Sequence, residues 1–93
     1  MKISLKFGGR FRETFGASEE QIDLEEGANI SRLLDVLCDS PDRRAKIFDS
    51  SNINVRSFVM ITKNGRFIIH LDWLRTKLLD GDKVEIFSLV SGG

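Results

Sequence analysis

The stretch LLDGDKVEIF, residues 78–87, decides the fold. Its Asp-Gly-Asp segment, residues 80–82, has the composition of a tight turn. After this turn Val84 and Ile86 alternate with charged residues, a period of two that predicts a strand with one buried face. The strand runs almost to the end of the sequence, so the sheet must take in a segment that is made late.

The outward face of this strand is also informative. In regular alternation Phe87 and Leu89 would face away from the core and form an exposed apolar stripe. Because exposed apolar clusters often mark partner surfaces, we predict a partner interface. It comprises Phe87, Leu89, Val90 and Ser91. In the alternative, a turn containing Phe11 and Phe15 covers the stripe.

The sequence ends on Gly92 and Gly93. Glycine makes up only about 7% of an average chain, so a pair at the end is uncommon but is not proof of a role. One interpretation is a frayed tail without function. The other is a tail that must pass through a narrow channel, because two residues without a Cβ allow close approach of a catalytic backbone.

The N-terminal segment predicts two further strands. In KISLKF the residues Ile3, Leu5 and Phe7 alternate with polar residues, and in EEQIDLEEG Ile22 and Leu24 do the same. The long turn between them contains RFRETFG, which fits a helical turn or a packed loop ending at a glycine. Residues 2–24 are therefore interpreted as two strands joined by this turn.

A helix is predicted next, over NISRLLDVL. Its apolar residues have helical spacing and form one stripe: Ile30, Leu33, Leu34 and Leu37. Asn29 can cap this helix, and Pro41 can end it or start another. A start at Ser40 and Pro41 indicates a short second helix that packs Ala45 and Phe48 on the core.

The strongest local signal is a hairpin. FVMIT and RFIIH are strand-like segments, and Asn64-Gly65 between them is typical of a type I′ turn. The polar residues 49–57 before it are predicted to form a loop. His70, at the end of the returning strand, is interpreted as a surface residue, and Trp73 as a packing anchor.

Composition limits the function classes. The chain has 93 residues, 41% of them hydrophobic, which suits one domain, and 14 basic residues balance 14 acidic ones. This balance favours neither nucleic acid nor a membrane as a partner.

A single cysteine, Cys38, excludes an internal disulfide and a multi-cysteine zinc site, and we interpret it as a small buried hydrophobe. No signal-peptide or membrane-spanning pattern is present, so we expect a cytoplasmic protein without a metal or bound cofactor.

The predicted order of strand, strand, helix, hairpin and strand is an α+β pattern. Four segments, taken together and in order, resemble the ubiquitin-like β-grasp proteins. These segments are LKFGGRFRETFG, LEEGANISRLLDVL, LLDGDKVEIF and VSGG. The resemblance is greatest to the sulfur-carrier branch (MoaD/ThiS-type), which contains the molybdopterin synthase small subunit, the thiamine-pathway carrier and the archaeal small modifiers. It implies a mixed five-stranded sheet of order 2-1-5-3-4 packed on one main helix.

Two features bear on the position within this branch. The loop between helix and hairpin makes the chain longer than the compact thiamine-type carriers, which favours the molybdopterin-type or archaeal-modifier group. The molybdopterin-type tail usually has two prolines where this chain has Ser88 and Leu89. This departure leaves the identity of the partner open.

The resemblance also implies a function for the tail. An E1-like enzyme would adenylate the Gly93 carboxylate with ATP, and the protein itself, residues 1–90 with a flexible tail of 91–93, would catalyse nothing. Partners would be this enzyme and, by pathway, a molybdopterin synthase large subunit or lysines of target proteins. Three interpretations stay open: a carrier bearing a Gly93 thiocarboxylate, a modifier conjugated through Gly93, and a β-grasp binding module with an inert tail. The sulfur acceptor could be a pterin, a thiazole, a tRNA base or a protein.

Overall fold

A computed structural model describes residues 1–88 of the chain. Its strands are β1 (Lys2–Phe7), β2 (Glu19–Asp23), β3 (Val59–Lys63), β4 (Arg66–Phe67) and β5 (Lys83–Ser88). Its helices are α1 (Phe11–Phe15), α2 (Ile30–Leu37) and α3 (Pro41–Ile47). Two 3-10 turns, Ile68–His70 and Trp73–Arg75, lie between β4 and β5.

The five strands form one sheet in the order β2-β1-β5-β3-β4. The central pair, β1 and β5, is parallel, and the other three pairs are antiparallel. The predicted α+β class, mixed sheet and strand order are confirmed. Residues 83–87 of the segment LLDGDKVEIF therefore lie in the middle of the sheet.

One face of the sheet and the apolar stripe of α2 make the core. The alternation predicted for β1 and β5 is confirmed, because every inward residue of the two strands up to position 86 is buried. These residues are Ile3, Leu5, Phe7, Val84 and Ile86. All four stripe residues of α2 are buried as well. Burial of this apolar surface is the main force that closes the helix onto the sheet.

The helix starts match their sequence signals. The Asn29 side chain accepts a hydrogen bond from the Arg32 N–H at 2.9 Å, and the Ser40 hydroxyl accepts one from the Arg43 N–H at 3.2 Å. The short second helix is thus confirmed as α3, with proline in its first turn. Its predicted contact through Ala45 is wrong. Ala45 is exposed, because the helix turns Ile47 into the core.

The hairpin is confirmed at its turn and corrected in its second strand. Asn64 and Gly65 both have positive φ, 51° and 84°, as a type I′ turn requires. The returning strand is only two residues long, however, instead of the five predicted. The Leu71 N–H donates to the Ile68 carbonyl at 2.9 Å, which closes a 3-10 turn in place of further strand pairing.

Two aromatic predictions have different outcomes. The RFRETFG segment is a helical turn, and Phe15 stacks on Phe7 in the core with ring centroids 4.7 Å apart. Trp73 is not the packing anchor that we predicted. Its side chain is 41% exposed and its φ is +52°, a conformation that a bulky side chain rarely adopts.

Candidate functional site

The candidate site is the end of β5, which precedes residues 89–93 in the sequence. β1 runs parallel to β5, so Phe7 at the end of β1 lies opposite Ile86. β3 runs antiparallel, so Val59 at its start lies opposite Ser88. The end of β5 therefore lies between two other strands, and both neighbours fix its direction.

Gly8 makes the closest contact at this end. Its N–H donates to the Ile86 carbonyl at 2.9 Å, which continues the β1–β5 ladder by one step. A Cβ placed on Gly8 would lie 2.8 Å from the Phe87 Cβ, closer than two such carbons approach. Only glycine fits here without a shift of β5. This contact of Gly8 was not predicted from the sequence.

Phe87 lies on the outward face of the sheet. It is half-buried and stands opposite Met60 of β3, and its ring centroid is 6.2 Å from that of Phe67 in β4. Phe11 and Phe15 are instead buried in the core. The ring that packs on Phe87 is therefore that of Phe67 rather than one from α1.

The other predicted site residues lie outside the described residues. They are Leu89, Val90, Ser91, Gly92 and Gly93. The boundary at residue 90 between domain and tail falls there as well. The interface role of Phe87 and of this set stays a prediction.

Two arginines lie near the same end of the sheet. The Arg10 guanidinium is 5.3 Å from the centroid of the Phe58 ring, just before β3, and the Arg12 Nε donates to the Phe7 carbonyl at 3.4 Å. These contacts hold cationic groups near the end of β5. Both arginines are visible in the sequence GGRFR. Their position near the end of β5 could not be predicted, because it depends on the pairing of β1 with β5.

The other end of β5 is held by Asp82. Its carboxylate accepts hydrogen bonds from the Asn64 side chain at 3.0 Å and from the Leu79 N–H at 2.8 Å, and Lys63 lies 3.7 Å away. Burial acts to raise the pKa of Asp82, but these hydrogen bonds and the Lys63 charge outweigh it and lower the pKa. The β3–β4 turn and the start of β5 are thereby joined.

A concavity of about 740 Å³ lies across β2, β1 and the start of β5 and reaches the β3–β4 turn. Lys6 stands opposite Glu19 on one neighbouring strand and opposite Glu85 on the other. Opposite charges thus compensate one another across this face. It does not adjoin the end of β5, and we assign it no site.

Candidates for other chemistry are few. Cys38 is buried, and this burial raises its pKa to about 11, so the thiol is a poor nucleophile at neutral pH. His70 is exposed, as expected. Within residues 1–88 no group of three or more His, Cys, Asp or Glu side chains could hold a metal ion. In the same part of the chain no helix is both long and apolar enough to cross a membrane.

The strand order and the helix packed on one face define a ubiquitin-like β-grasp protein. Residues 5–93 match the ThiS family, and the chain belongs to it. It is 33% identical to small archaeal modifier protein 3 of Haloferax volcanii, over the full length of both. Two solved structures are each 28% identical to it. One is small archaeal modifier protein 1 of Methanosarcina acetivorans, with a TM-score of 0.84 and 99% of this chain and 96% of that chain covered. The other is a putative molybdopterin converting factor subunit 1 of Pyrococcus furiosus, with a TM-score of 0.74 and 97% and 99% covered.

Membership assigns the coarse function. The small proteins of this family are ubiquitin-like sulfur carriers or modifiers, not catalysts. The pathway in which this chain acts is a separate question.

Proposed function

We propose that the chain carries sulfur as a thiocarboxylate on Gly93 and delivers it in molybdopterin synthesis, for a molybdenum or tungsten cofactor. An E1-like enzyme activates Gly93, and the molybdopterin synthase large subunit receives the sulfur. The observation that carries the proposal is the placement of a Gly-Gly end five residues after a strand held on both sides. Activation uses ATP on the enzyme, and the carrier binds no cofactor of its own.

The chemistry needs a carboxylate that a second protein can reach. A carboxylate oxygen of Gly93 attacks the α-phosphate of ATP, and pyrophosphate leaves. The resulting acyl-adenylate has a good leaving group, so a sulfur nucleophile can displace AMP at the carbonyl carbon. The folded domain takes no part in these bond changes. Its role is to be recognised by the partner proteins.

The anchored strand and the short tail suit this role. Five residues follow Ser88, and five residues span at most about 17 Å when fully extended. A domain docked on the enzyme would therefore deliver Gly93 only to a nearby active site. A rigid β5 sets the direction from which the tail enters, and the absence of Cβ atoms at Gly92 and Gly93 keeps its end narrow.

A second candidate is a protein modifier. The same acyl-adenylate would then end as an isopeptide bond to a lysine of a target protein. The observation that favours it is the full-length similarity to a Haloferax volcanii protein named as a small archaeal modifier. Delivery to a tRNA base or to thiamine synthesis would use the same activated end and differ only in the acceptor.

The test is the substitution Gly93→Ala, with Ser50→Ala, at an exposed position after α3, as its control. One methyl group leaves a terminal carboxylate of similar reactivity but displaces it in a channel shaped for glycine. A misplacement of about 1 Å can cost roughly a hundredfold in rate. In single-turnover formation of the acyl-adenylate, with the activating enzyme in excess, we expect Gly93→Ala to be at least about tenfold slower and Ser50→Ala to be close to wild type.

Equal rates for wild type and Gly93→Ala would contradict the proposed use of the glycine end. The two candidates are separated by the protein purified from its native host. A carrier gains the mass difference between sulfur and oxygen at its C-terminus. A modifier forms larger conjugates that persist in reducing agent and disappear when Gly92 and Gly93 are removed.

A further inference from the structure

The free edge of β3 is an unusual feature of the sheet. β3 pairs with β5 along its whole length, from Val59 to Lys63, but with β4 only at Thr62 and Lys63. β4 is so short because the chain turns into the 3-10 turn Ile68–His70. Residues 59–61 therefore have no strand beside them on this side within the part of the chain that the structure describes.

The hydrogen-bonding groups of β3 alternate between its two sides. The Asn64 N–H donates to the Lys83 carbonyl at 2.7 Å, so Asn64 and every second residue before it face β5. Ile61 accordingly directs its N–H and C=O away from β5, but its C=O is taken, because the pairing of Thr62 with Phe67 requires a hydrogen bond from the Ile68 N–H. The N–H of Val59 is likewise taken by the Arg56 carbonyl at 3.0 Å. The Ile61 N–H and the Val59 C=O flank Met60, and they offer an added strand the two hydrogen bonds of one pairing position, opposite Met60.

An apolar groove of about 260 Å³ lies along this edge. Residues of β3 form one of its sides, and Phe67, Ile69 and Trp73 contribute to the rest. Phe67 and Trp73 are each 41% exposed and Ile69 is 69% exposed, so large apolar side chains face solvent around a free strand edge. Such edges are normally covered or charged, because they pair readily with other chains.

The backbone at Trp73 supports a binding role for this groove. A positive φ on a bulky residue is strained, and such strain is concentrated at functional sites. The conformation of Trp73 holds its indole at the groove, where burial of the side chain contributes little to the stability of the core. Stability of the fold alone does not account for this arrangement.

The charges of the segment that supplies the groove's residues indicate the chemistry of its occupant. Residues 55–78 contain five cationic side chains and a single acidic one, although the whole chain is balanced. They are Arg56, Lys63, Arg66, Arg75 and Lys77, against Asp72, and Lys63 is paired with Asp82. Arg56 lines the groove, and Arg66 and Arg75 form no salt bridge within residues 1–88. The opposite edge strand, β2, carries three acids and no cation.

We infer that an extended segment of a partner protein, with alternating apolar residues flanked by acidic ones, adds to the sheet at the free edge of β3. Its backbone accepts from the Ile61 N–H and donates to the Val59 C=O, so that one of its residues lies opposite Met60. Its apolar side chains fill the groove beside Ile69 and Trp73, and its acidic residues face Arg66 and Arg75. This mode of binding by strand addition obtains affinity from the main chain and specificity from alternate side chains. The inference does not depend on the use of Gly93.

The experiment selects binders of the full-length protein from a phage-displayed library of random peptides. We expect enrichment of peptides that combine alternating β-branched or aromatic residues with acidic flanks. Amide resonances of residues 59–61 and 69 should shift on binding. Trp73→Asn should weaken the selected peptides at least about tenfold, since asparagine tolerates the positive φ but leaves the groove unfilled. Leu79→Asn is the matched control, because Leu79 is 65% exposed and does not line the groove.

The backbone contact is tested separately with methylated peptides. N-methylation at every second position of a selected peptide should abolish binding in one register and be tolerated in the other. Four results would each overturn the inference: no enriched peptides, equal binding by Trp73→Asn and wild type, shifts confined to β2, or equal tolerance of methylation in both registers. Self-association that Trp73→Asn abolishes would overturn it as well, in favour of a second copy as the occupant.

Discussion

The two ends of β5 are held by different kinds of contact. At its start, the buried carboxylate of Asp82 ties the strand to Asn64 and Leu79 by directed hydrogen bonds. At its end, Phe87 is held by an aromatic neighbour and by close backbone packing against Gly8. The first set is polar and buried, whereas the second is apolar and partly open to solvent.

The contacts that stabilise the fold are thus separate from those that remain available to a partner protein. Hydrogen bonds to a buried charge are lost together if the strand moves, so the start of β5 is fixed in one position. Contacts between half-exposed rings permit a partner to replace part of the solvent without disturbing the core. A carrier needs this combination, because the domain must stay folded while its end is handled by other proteins.

The largest effect is expected at the polar end. Asp82→Ala removes the acceptor for two hydrogen bonds and should reduce the free energy of unfolding by about 3 kcal/mol. Urea unfolding measures this loss. Asp80→Ala is the control, since Asp80 accepts one exposed hydrogen bond from the Lys2 N–H. Equal losses for the two variants would show that burial of the Asp82 network contributes nothing.

The same residue predicts a pH dependence. The pKa of Asp82 is lowered in the folded protein relative to the unfolded chain, where aspartate titrates near pH 3.9. Its contribution to stability is therefore complete above that value and is lost as the pH falls through the folded pKa. The stability difference between wild type and Asp82→Ala should be constant from about pH 6 to pH 5 and shrink below about pH 4. A difference that grows on acidification would contradict the assignment.

An intermediate effect is expected at the close contact beside the tail. Gly8→Ala places a methyl group against the Phe87 Cβ and should cost about 2 kcal/mol through overpacking. Because the clash involves the Cβ, the cost should persist in a Phe87→Ala background and decrease in a Phe87→Gly background. Thermal unfolding of the single and double variants tests this. A similar cost in all three backgrounds would place the strain elsewhere.

The smallest effect is expected for the ring pair. Phe67 and Phe87 should show a coupling energy of about 1 kcal/mol in a double-mutant cycle with alanine.

A related prediction concerns binding. The affinity for the activating enzyme should fall at least about tenfold for Phe87→Ala, because an aromatic side chain near the tail is a suitable interface anchor. Normal affinity together with a stability loss of about 2 kcal/mol or more would make Phe87 a core residue instead.

Much of the fold could be predicted because local patterns and global packing agree. Alternation in β1 and β5, the stripe of α2 and the caps Asn29 and Ser40 each specify the element in which they occur. The errors arose where tertiary contacts decide. RFIIH has strand propensity over five residues, yet the chain turns after Phe67, and no local signal marks that point.

The geometry at the end of β5 could not be predicted from the sequence. The activation of the Gly-Gly end follows from the tail and the family resemblance, and it stays a prediction. Contacts of Phe87 with Gly8 and Phe67 join residues far apart in the sequence, so they depend on strand register rather than on spacing. The exposure of Trp73 was missed for the same reason, since hydrophobicity alone predicts burial.

The parallel pairing of β1 with β5 has a consequence for synthesis. Ser4 pairs with Lys83, so the sheet joins the earliest and latest parts of the described chain. While the chain is being made, β1 leaves the ribosome long before its partner exists, and its edge with Ile3, Leu5 and Phe7 remains open to other nascent chains. Lys2 and Lys6, which flank these apolar residues, have the position of gatekeepers against such aggregation. These two lysines would then protect the chain before it folds. Neither a stability measurement nor an activity assay on the folded protein would detect this effect.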